Sequence, residues 1–327
     1  MSNIDMIRAA QSRLNGHARK TPLLSSPFLD DIAGRKIWVK AECLQHTGSF
    51  KFRGGWSAVS ALSDIQRANG VIAFSSGNHA QGVALAAARH NTKAVIVMPS
   101  DAPKIKIENT RALGAEVVLF DRENQSRDDV AAEVNQNGKM TLIKPYDNEQ
   151  VIAGQGTVGL EIAQQADENG IEQGEVLVCC GGGGLTSGIA LALQDTAPNF
   201  TTRTCEPAEF DDVARSLMSG NIETNTRKSG SICDAIITPA PGEITFPIMQ
   251  NLCGAGLVVS EDECLHAVAL AYERLRIVVE PGGAAALAAA LFHGDELNSE
   301  NIIAVATGGN VDTDVFIQAL QKFGAKS

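Results

Sequence analysis

The stretch VIAFSSGNHAQGVALAAARHNTKAVIVMPS (71–100) decides the fold. An apolar, β-branched run at 71–74 gives way to a polar, glycine-bearing turn at 75–79. A helical pattern follows at 80–90, and a second apolar run stands at 94–98. Neither run alternates with polar residues, which is the pattern of strands covered on both faces. Strand, helix and strand in this order make a βαβ unit with parallel strands and a right-handed crossover. The same rhythm runs along the chain, with further runs at 36–40, 116–120, 176–180, 202–205, 257–259 and 302–306. In the helical pattern at 261–276, Leu265, Ala269, Tyr272 and Leu275 return at three- and four-residue spacing. The predicted class is α/β, with two Rossmann-like parallel-sheet domains. Segment 63–143 carries three strand–helix units and closes on itself as a small mobile domain. It is inserted in a larger one built from 1–62 and 144–327, and the active site is expected in the cleft between them.

Composition narrows the function. The 327 residues carry a net charge of −11, and Lys104 and Lys106 are the nearest approach to a basic cluster, with Glu108 following at once. Phosphate-rich partners need clustered Lys and Arg, so neither nucleic acid nor an anionic membrane is an expected partner. The seven cysteines show no CxxC and no regular spacing. A disulfide framework or zinc site is therefore not predicted, and a reducing, cytoplasmic setting is. The opening MSNIDMIRAAQSRLNG lacks the apolar stretch of a signal peptide, and no apolar run reaches the roughly 20 residues of a membrane helix.

Three polar, glycine-rich turns follow predicted strands. Gly181, Gly182, Gly183 and Gly184 come directly after Cys180 and before the helical run LTSGIALAL. Such a turn offers backbone N–H groups to an anion at a helix start; a plain tight turn is the alternative. It is not GxGxxG, and Glu206 only comes near the acidic position of a dinucleotide site, which weakens a nicotinamide reading. Ser75, Ser76, Gly77, Asn78 and His79 form the second turn. It suits a substrate carboxylate, or serves simply as an N-cap. Thr307-Gly308-Gly309-Asn310 is the third. In a parallel sheet such turns gather at the carboxyl edge, where ligands bind.

Lys51 opens a helical pattern in TGSFKFRGG (47–55). The positive end of a helix dipole is a poor place for a cation, and it favours the neutral amine that attacks an aldehyde.

Taken together, SFKFRGG (49–55), SSGNHAQG (75–82), KPYDNEQVIAGQGT (144–157), GGGGL (181–185), EPAEFDD (206–212), EPGGAAALAA (280–289) and TGGNVD (307–312) stand in family order. In them the chain resembles the fold-type II, tryptophan synthase β-like pyridoxal-phosphate enzymes. Within these it is similar to the serine/threonine dehydratase (threonine ammonia-lyase) and serine racemase group, over nearly its whole length. The resemblance implies pyridoxal 5'-phosphate as cofactor. Lys51 would form the Schiff base, Phe50 would pack on the ring, and Asn78 would bond the ring hydroxyl. Residues 181–184 with Leu185 would hold the phosphate, Thr307 would face the ring nitrogen, and Ser76 would be a second acid/base opposite Lys51. It implies β-elimination from threonine or serine to a 2-oxo acid and ammonia, with racemisation of serine as an alternative.

Ser75, Ser76, Gly77, Asn78 and His79 would take the substrate carboxylate, although His79 equally suits a structural hydrogen bond. Arg127 matches an arginine that in relatives reaches the active site. There it would bind a second carboxylate and make 3-hydroxyaspartate a candidate substrate; a surface ion pair is the other reading. Glu206, Asp212 and the Phe210 carbonyl match a Mg²⁺ or Ca²⁺ site of relatives; the alternative is that Asp211 and Asp212 are simple helix N-terminal acids. Gly55 and Trp56 depart from many members, which predicts different packing behind Lys51. A homodimer is the expected assembly.

Overall fold

The computed structural model describes residues 2–75, 77–102, 104–121, 124–135 and 138–325, with the backbone alone at 127 and 128. Ten strands are found among the described residues: β1 (Leu23–Ser25), β2 (Lys36–Ala41), β3 (Val71–Phe74), β4 (Ala94–Pro99), β5 (Glu116–Phe120), β6 (Thr141–Leu142), β7 (Gly174–Cys179), β8 (Phe200–Pro207), β9 (Leu257–Val259) and β10 (Asn301–Ala306). They form two sheets. One has six strands in the order β1-β2-β10-β7-β8-β9, and the other has four in the order β5-β4-β3-β6. Only β1 pairs antiparallel, with β2; the other pairings among the described residues are parallel.

Every apolar run read from the sequence is a strand. The reason is visible in β4 and β7, which are buried at all six positions, so neither alternates. The sequence reading missed β1 and β6, three and two residues long, because runs that short show no periodicity. No helix among the described residues is long and apolar enough to cross a membrane.

The helix Lys51–Ser60 packs against two others, Asn78–Arg89 and Glu149–Glu168. They touch backbone to backbone through glycines. A methyl group on Gly55 would stand 2.9 Å from the Gly82 carbonyl, and one on Gly154 would stand 2.3 Å from that of Arg53. Gly55 is therefore required by its neighbour. Trp56, beside it, donates from Nε1 to the Arg13 carbonyl at 2.7 Å and stacks on His17 at 4.3 Å. Below this junction lies a buried ion cluster. Arg53 bonds both Glu42 oxygens at 2.8 Å and both Glu161 oxygens at 2.7 and 2.9 Å. Lys40 adds a bond to Glu161 at 2.6 Å. Charges taken out of water this far persist only when paired on every side.

Candidate active site

Lys51 is the first residue of its helix and is half-buried. Burial pulls its amine down from the ordinary 10.5 to about 8, against an opposing pull from the Glu280 carboxyl. Its Nζ donates to the Pro145 carbonyl at 3.0 Å and lies 5.0 Å from the Phe50 ring centre. The segment before it is pinned to the third turn. The Phe50 amide donates to the Thr307 carbonyl at 3.1 Å, and Ser49 bridges to Gly308.

Lys51 faces a cavity of about 200 Å³. Phe50, Ser75, Gly77, Asn78, His79, the four glycines 181–184, Leu185 and Thr307 all line it. The turns after β7 and β10 share the carboxyl edge of the six-stranded sheet, and the turn after β3 of the four-stranded sheet meets them at the cavity. Ser76 lies outside the described residues. Arg127 opens the helix Arg127–Val134, but its side chain is likewise outside what the structure describes.

The glycine turn is built for close approach. A methyl group on Gly182 would stand 2.3 Å from the Tyr146 ring, and Gly183 adopts a left-handed φ of 87°. The helix Gly184–Thr196 starts there, so its first N–H groups lack intrahelical acceptors. Ser75 does not cap the next helix. Its Oγ accepts from the Gly77 amide at 3.1 Å, and Gly77 occupies the cap position without a side-chain bond. His79 binds the Ile143 carbonyl through Nε2 at 2.9 Å, and burial lowers its pKa to about 3. It is a neutral, structural hydrogen-bonder at Nε2, with a buried Nδ1 that has no partner in the protein. Thr307 is uncharged, and the Cys179 thiol lies against its side chain.

Four further residues escaped the sequence reading. Tyr146, Gln155 and Glu280 line the cavity, and Asn310 bonds Asn78. Each sits inside a motif already singled out, at 144–157, 280–289 and 307–312, so the signal was present but unassigned. Both amide atoms of Gln155 are buried without a partner in the protein. The Glu280 carboxyl is pushed up to about 7 by burial.

Glu206 and Asp212 are buried neighbours across a helix start. Both Glu206 oxygens accept from the helix Asp212–Ser219, from the Val213 and Ala214 amides at 2.9 and 2.7 Å. Asp212 Oδ1 accepts from Asn225, and Oδ2 is buried without a partner. Burial raises both carboxyls, Asp212 to about 7, and for Glu206 the nearby Asp212 adds to the rise. Among the described residues no group of three His, Cys, Asp or Glu side chains is placed to hold a metal ion. Phe210 is buried beside them.

The family model described as pyridoxal-phosphate dependent enzyme matches residues 14–308. The chain belongs to this family. It is 39% identical over 317 residues to an L-threo-3-hydroxyaspartate ammonia-lyase of Pseudomonas sp, covering 97% of this chain and 98% of the relative. It is 37% identical to a serine racemase of Oryza sativa subsp. indica, covering 98% and 94%. Among solved structures, a maize serine racemase superposes with a TM-score of 0.89 at 36% identity, covering 98% of this chain and 97% of that one.

The cavity fits the family's cofactor. A lysine amine and a glycine turn at a helix start both line it. A methyl group at Gly182 or Gly184 would collide with Tyr146 or Gln155, and the Gln155 amide lacks partners that a bound group would supply.

Proposed function

We propose that the protein is a pyridoxal-phosphate dependent ammonia-lyase that eliminates the β-hydroxyl of a small amino acid such as L-threonine or L-serine, giving a 2-oxo acid and ammonia. The observation that carries this reading is the Lys51 amine, lowered to about 8 by desolvation and lining one cavity together with the 181–184 turn. An amine so lowered serves both as the nucleophile that holds an aldehyde and as a base near neutral pH.

When bound, the cofactor supplies an aldehyde for the substrate amine and a ring that withdraws the charge left at Cα. The protein does the rest. Lys51 would hold the cofactor through its amine, and its Nζ would take the Cα proton of the substrate. Phe50 would pack on the ring and Asn78 would bond its hydroxyl. The N–H groups of 181–184 and Leu185 would hold the phosphate. Ser75, Ser76, Gly77, Asn78 and His79 hold the substrate carboxylate at their helix start. Thr307 would face the ring nitrogen as a neutral partner, which would favour prompt loss of the β-hydroxyl over transamination. The segments 1–62 and 144–327 form the large unit and 63–143 the small unit that moves against it. The working form is a cytoplasmic homodimer.

Two other outcomes rest on single residues. Arg127 in the cleft would bind a second carboxylate and favour 3-hydroxyaspartate. Ser76 as a second acid/base would permit serine racemisation. Holoenzyme given L-threonine, L-serine, D-serine and the 3-hydroxyaspartate isomers, with 2-oxo acid and chirality both read, separates the three. Turnover of none of them would refute the proposal.

Glu206, Asp212 and the Phe210 carbonyl would hold Mg²⁺ or Ca²⁺. The unpartnered Asp212 Oδ2 and the two raised carboxyls fit a hard cation. Adding Mg²⁺ or Ca²⁺ to chelator-treated protein should raise Tm, and no change with either ion removes the site.

A further inference from the structure

Asn78 is tied at both ends of its side-chain amide. Its Nδ2 donates to Glu280 Oε1 at 2.6 Å, and its Oδ1 accepts from Asn310 Nδ2 at 2.6 Å. The direction of these bonds is fixed from outside the pair. Asn310 Nδ2 also donates to the Thr47 carbonyl at 2.8 Å, and a backbone carbonyl can only accept. Asn310 must therefore present its nitrogen, Asn78 must meet it with oxygen, and the Asn78 nitrogen is left facing Glu280.

The anchor is a strained piece of backbone. Thr47 sits at φ 59° and ψ 16°, a left-handed conformation that a β-branched residue rarely takes. Gly48 follows at φ 72°, and a methyl group on it would stand 2.6 Å from Asn310 Oδ1. Two successive left-handed residues bring the Thr47 carbonyl to Asn310 just ahead of Lys51. At the other end, Glu280 is buried, and whether ionised or not it keeps an oxygen that accepts.

We propose that Thr47, Asn310 and Glu280 are positioning residues that lock the Asn78 amide so that it donates to, rather than accepts from, the ring hydroxyl of the cofactor. An amide nitrogen has two hydrogens. Glu280 takes one, and the second remains for the hydroxyl. A donor there stabilises the ionised hydroxyl, whereas an acceptor would require the hydroxyl to keep its proton. This rests on the cofactor reading of Lys51 and Asn78 given above.

The test compares cofactor-loaded wild type with Asn310→Asp, Asn310→Ala and Glu280→Gln, reading the absorbance spectrum across pH and the cofactor dissociation constant. Asn310→Asp sets an acceptor against Asn78 Oδ1 and drives the amide to turn over. The visible band near about 410 nm should then lose more than half its intensity to the near ultraviolet at neutral pH. Asn310→Ala, which only removes the donor, should move the pH midpoint of the band by at least about half a unit. Glu280→Gln keeps an accepting oxygen and should keep the visible band at neutral pH, with a moved pH midpoint because the carboxyl's pull on Lys51 is gone; loss of the band in this variant would count against the lock. A cofactor-bound Asn310→Asp with the wild-type spectrum overturns the proposal. If that variant does not fold, an unchanged midpoint in Asn310→Ala overturns it. A wild-type protein with no visible band sinks the reading of Lys51 and the lock with it. A normal wild-type band with unchanged variants sinks the lock alone.

Discussion

Gly82 lies so close to Lys51 that a methyl group on it would stand 2.8 Å from the Lys51 carbonyl carbon and oxygen. Backbone cannot yield as a side chain can, so Gly82→Ala must push two helices apart at the residue that carries the chemistry. The expected cost in stability is about 1–3 kcal/mol, the usual range for overpacking. The expected loss in kcat is larger in proportion, about 10²-fold, because a displacement of about 1 Å at a reacting group costs that much. Thermal unfolding and steady-state kinetics on one preparation check both; a stable variant with normal kcat would refute the coupling.

The lowered amine of Lys51 predicts how the cofactor-free protein captures pyridoxal phosphate. Only the neutral amine attacks, and its fraction grows with pH. The capture rate should rise about tenfold per pH unit up to about 8 and then level off. A rise that continues to the ordinary lysine value of 10.5 would show that burial does not act on Lys51 as described. Lys51→Ala should show no covalent capture at any pH.

Arg53→Met should expose the cost of the buried ion cluster. Glu42 and Glu161 would lose the guanidinium fork that bonds both oxygens of each. Removing one partner of a buried pair costs about 3–5 kcal/mol, and Tm should fall by roughly 10 °C. Arg53 and Lys40 hold the Glu161 carboxyl below its ordinary 4.5. A lowered carboxyl stabilises the fold above its unfolded value and loses that stabilisation as pH falls through the folded one. The gap in stability between wild type and variant should therefore be full at neutral pH and shrink toward acid pH. Differential calorimetry from neutral to acid pH reads it, and a gap that widens in acid would contradict the assignment.

Gly182→Ala should loosen the cofactor with little effect on the rest of the molecule. The added methyl meets the Tyr146 ring, which must swing away from the cavity it lines. Cofactor retention on dialysis should fall about tenfold or more, which is a loss of about 1.4 kcal/mol. Retention equal to wild type would argue that Tyr146 is not held against the turn.

Much of this was legible in the chain. Strands such as β4, β7 and β10 announce themselves because burial on both faces forbids polar alternation, and the turns after them because glycine clusters are costly anywhere else. Lys51 was legible as a cation in the wrong place. The partners of Asn78 were not. Glu280 and Asn310 lie 202 and 232 residues away along the chain, and local spacing carries no trace of contacts so distant. Gln155 was hidden differently, as one of three buried polar residues, with Thr157 and Gln165, on a long helix whose other buried residues are apolar or glycine. Asp211 and Asp212 stand where helix N-terminal acids are expected, yet Asp211 makes no side-chain cap bond, and it is Glu206, from the end of β8, whose oxygens take the Val213 and Ala214 amides.

The position of β10 has a bearing on how the protein is made. It lies between β2 and β7, although it follows every other described strand in the sequence. A nascent chain emerging from the ribosome can close the sheet β5-β4-β3-β6 from one continuous stretch, but it cannot seat β2 beside its final neighbour until residue 306 has emerged. Contacts this remote are slow to form. The smaller sheet should thus be folded and waiting while the larger one is still open at its centre. The Thr307 turn, which β10 carries, would complete the cavity only in the last moments of assembly.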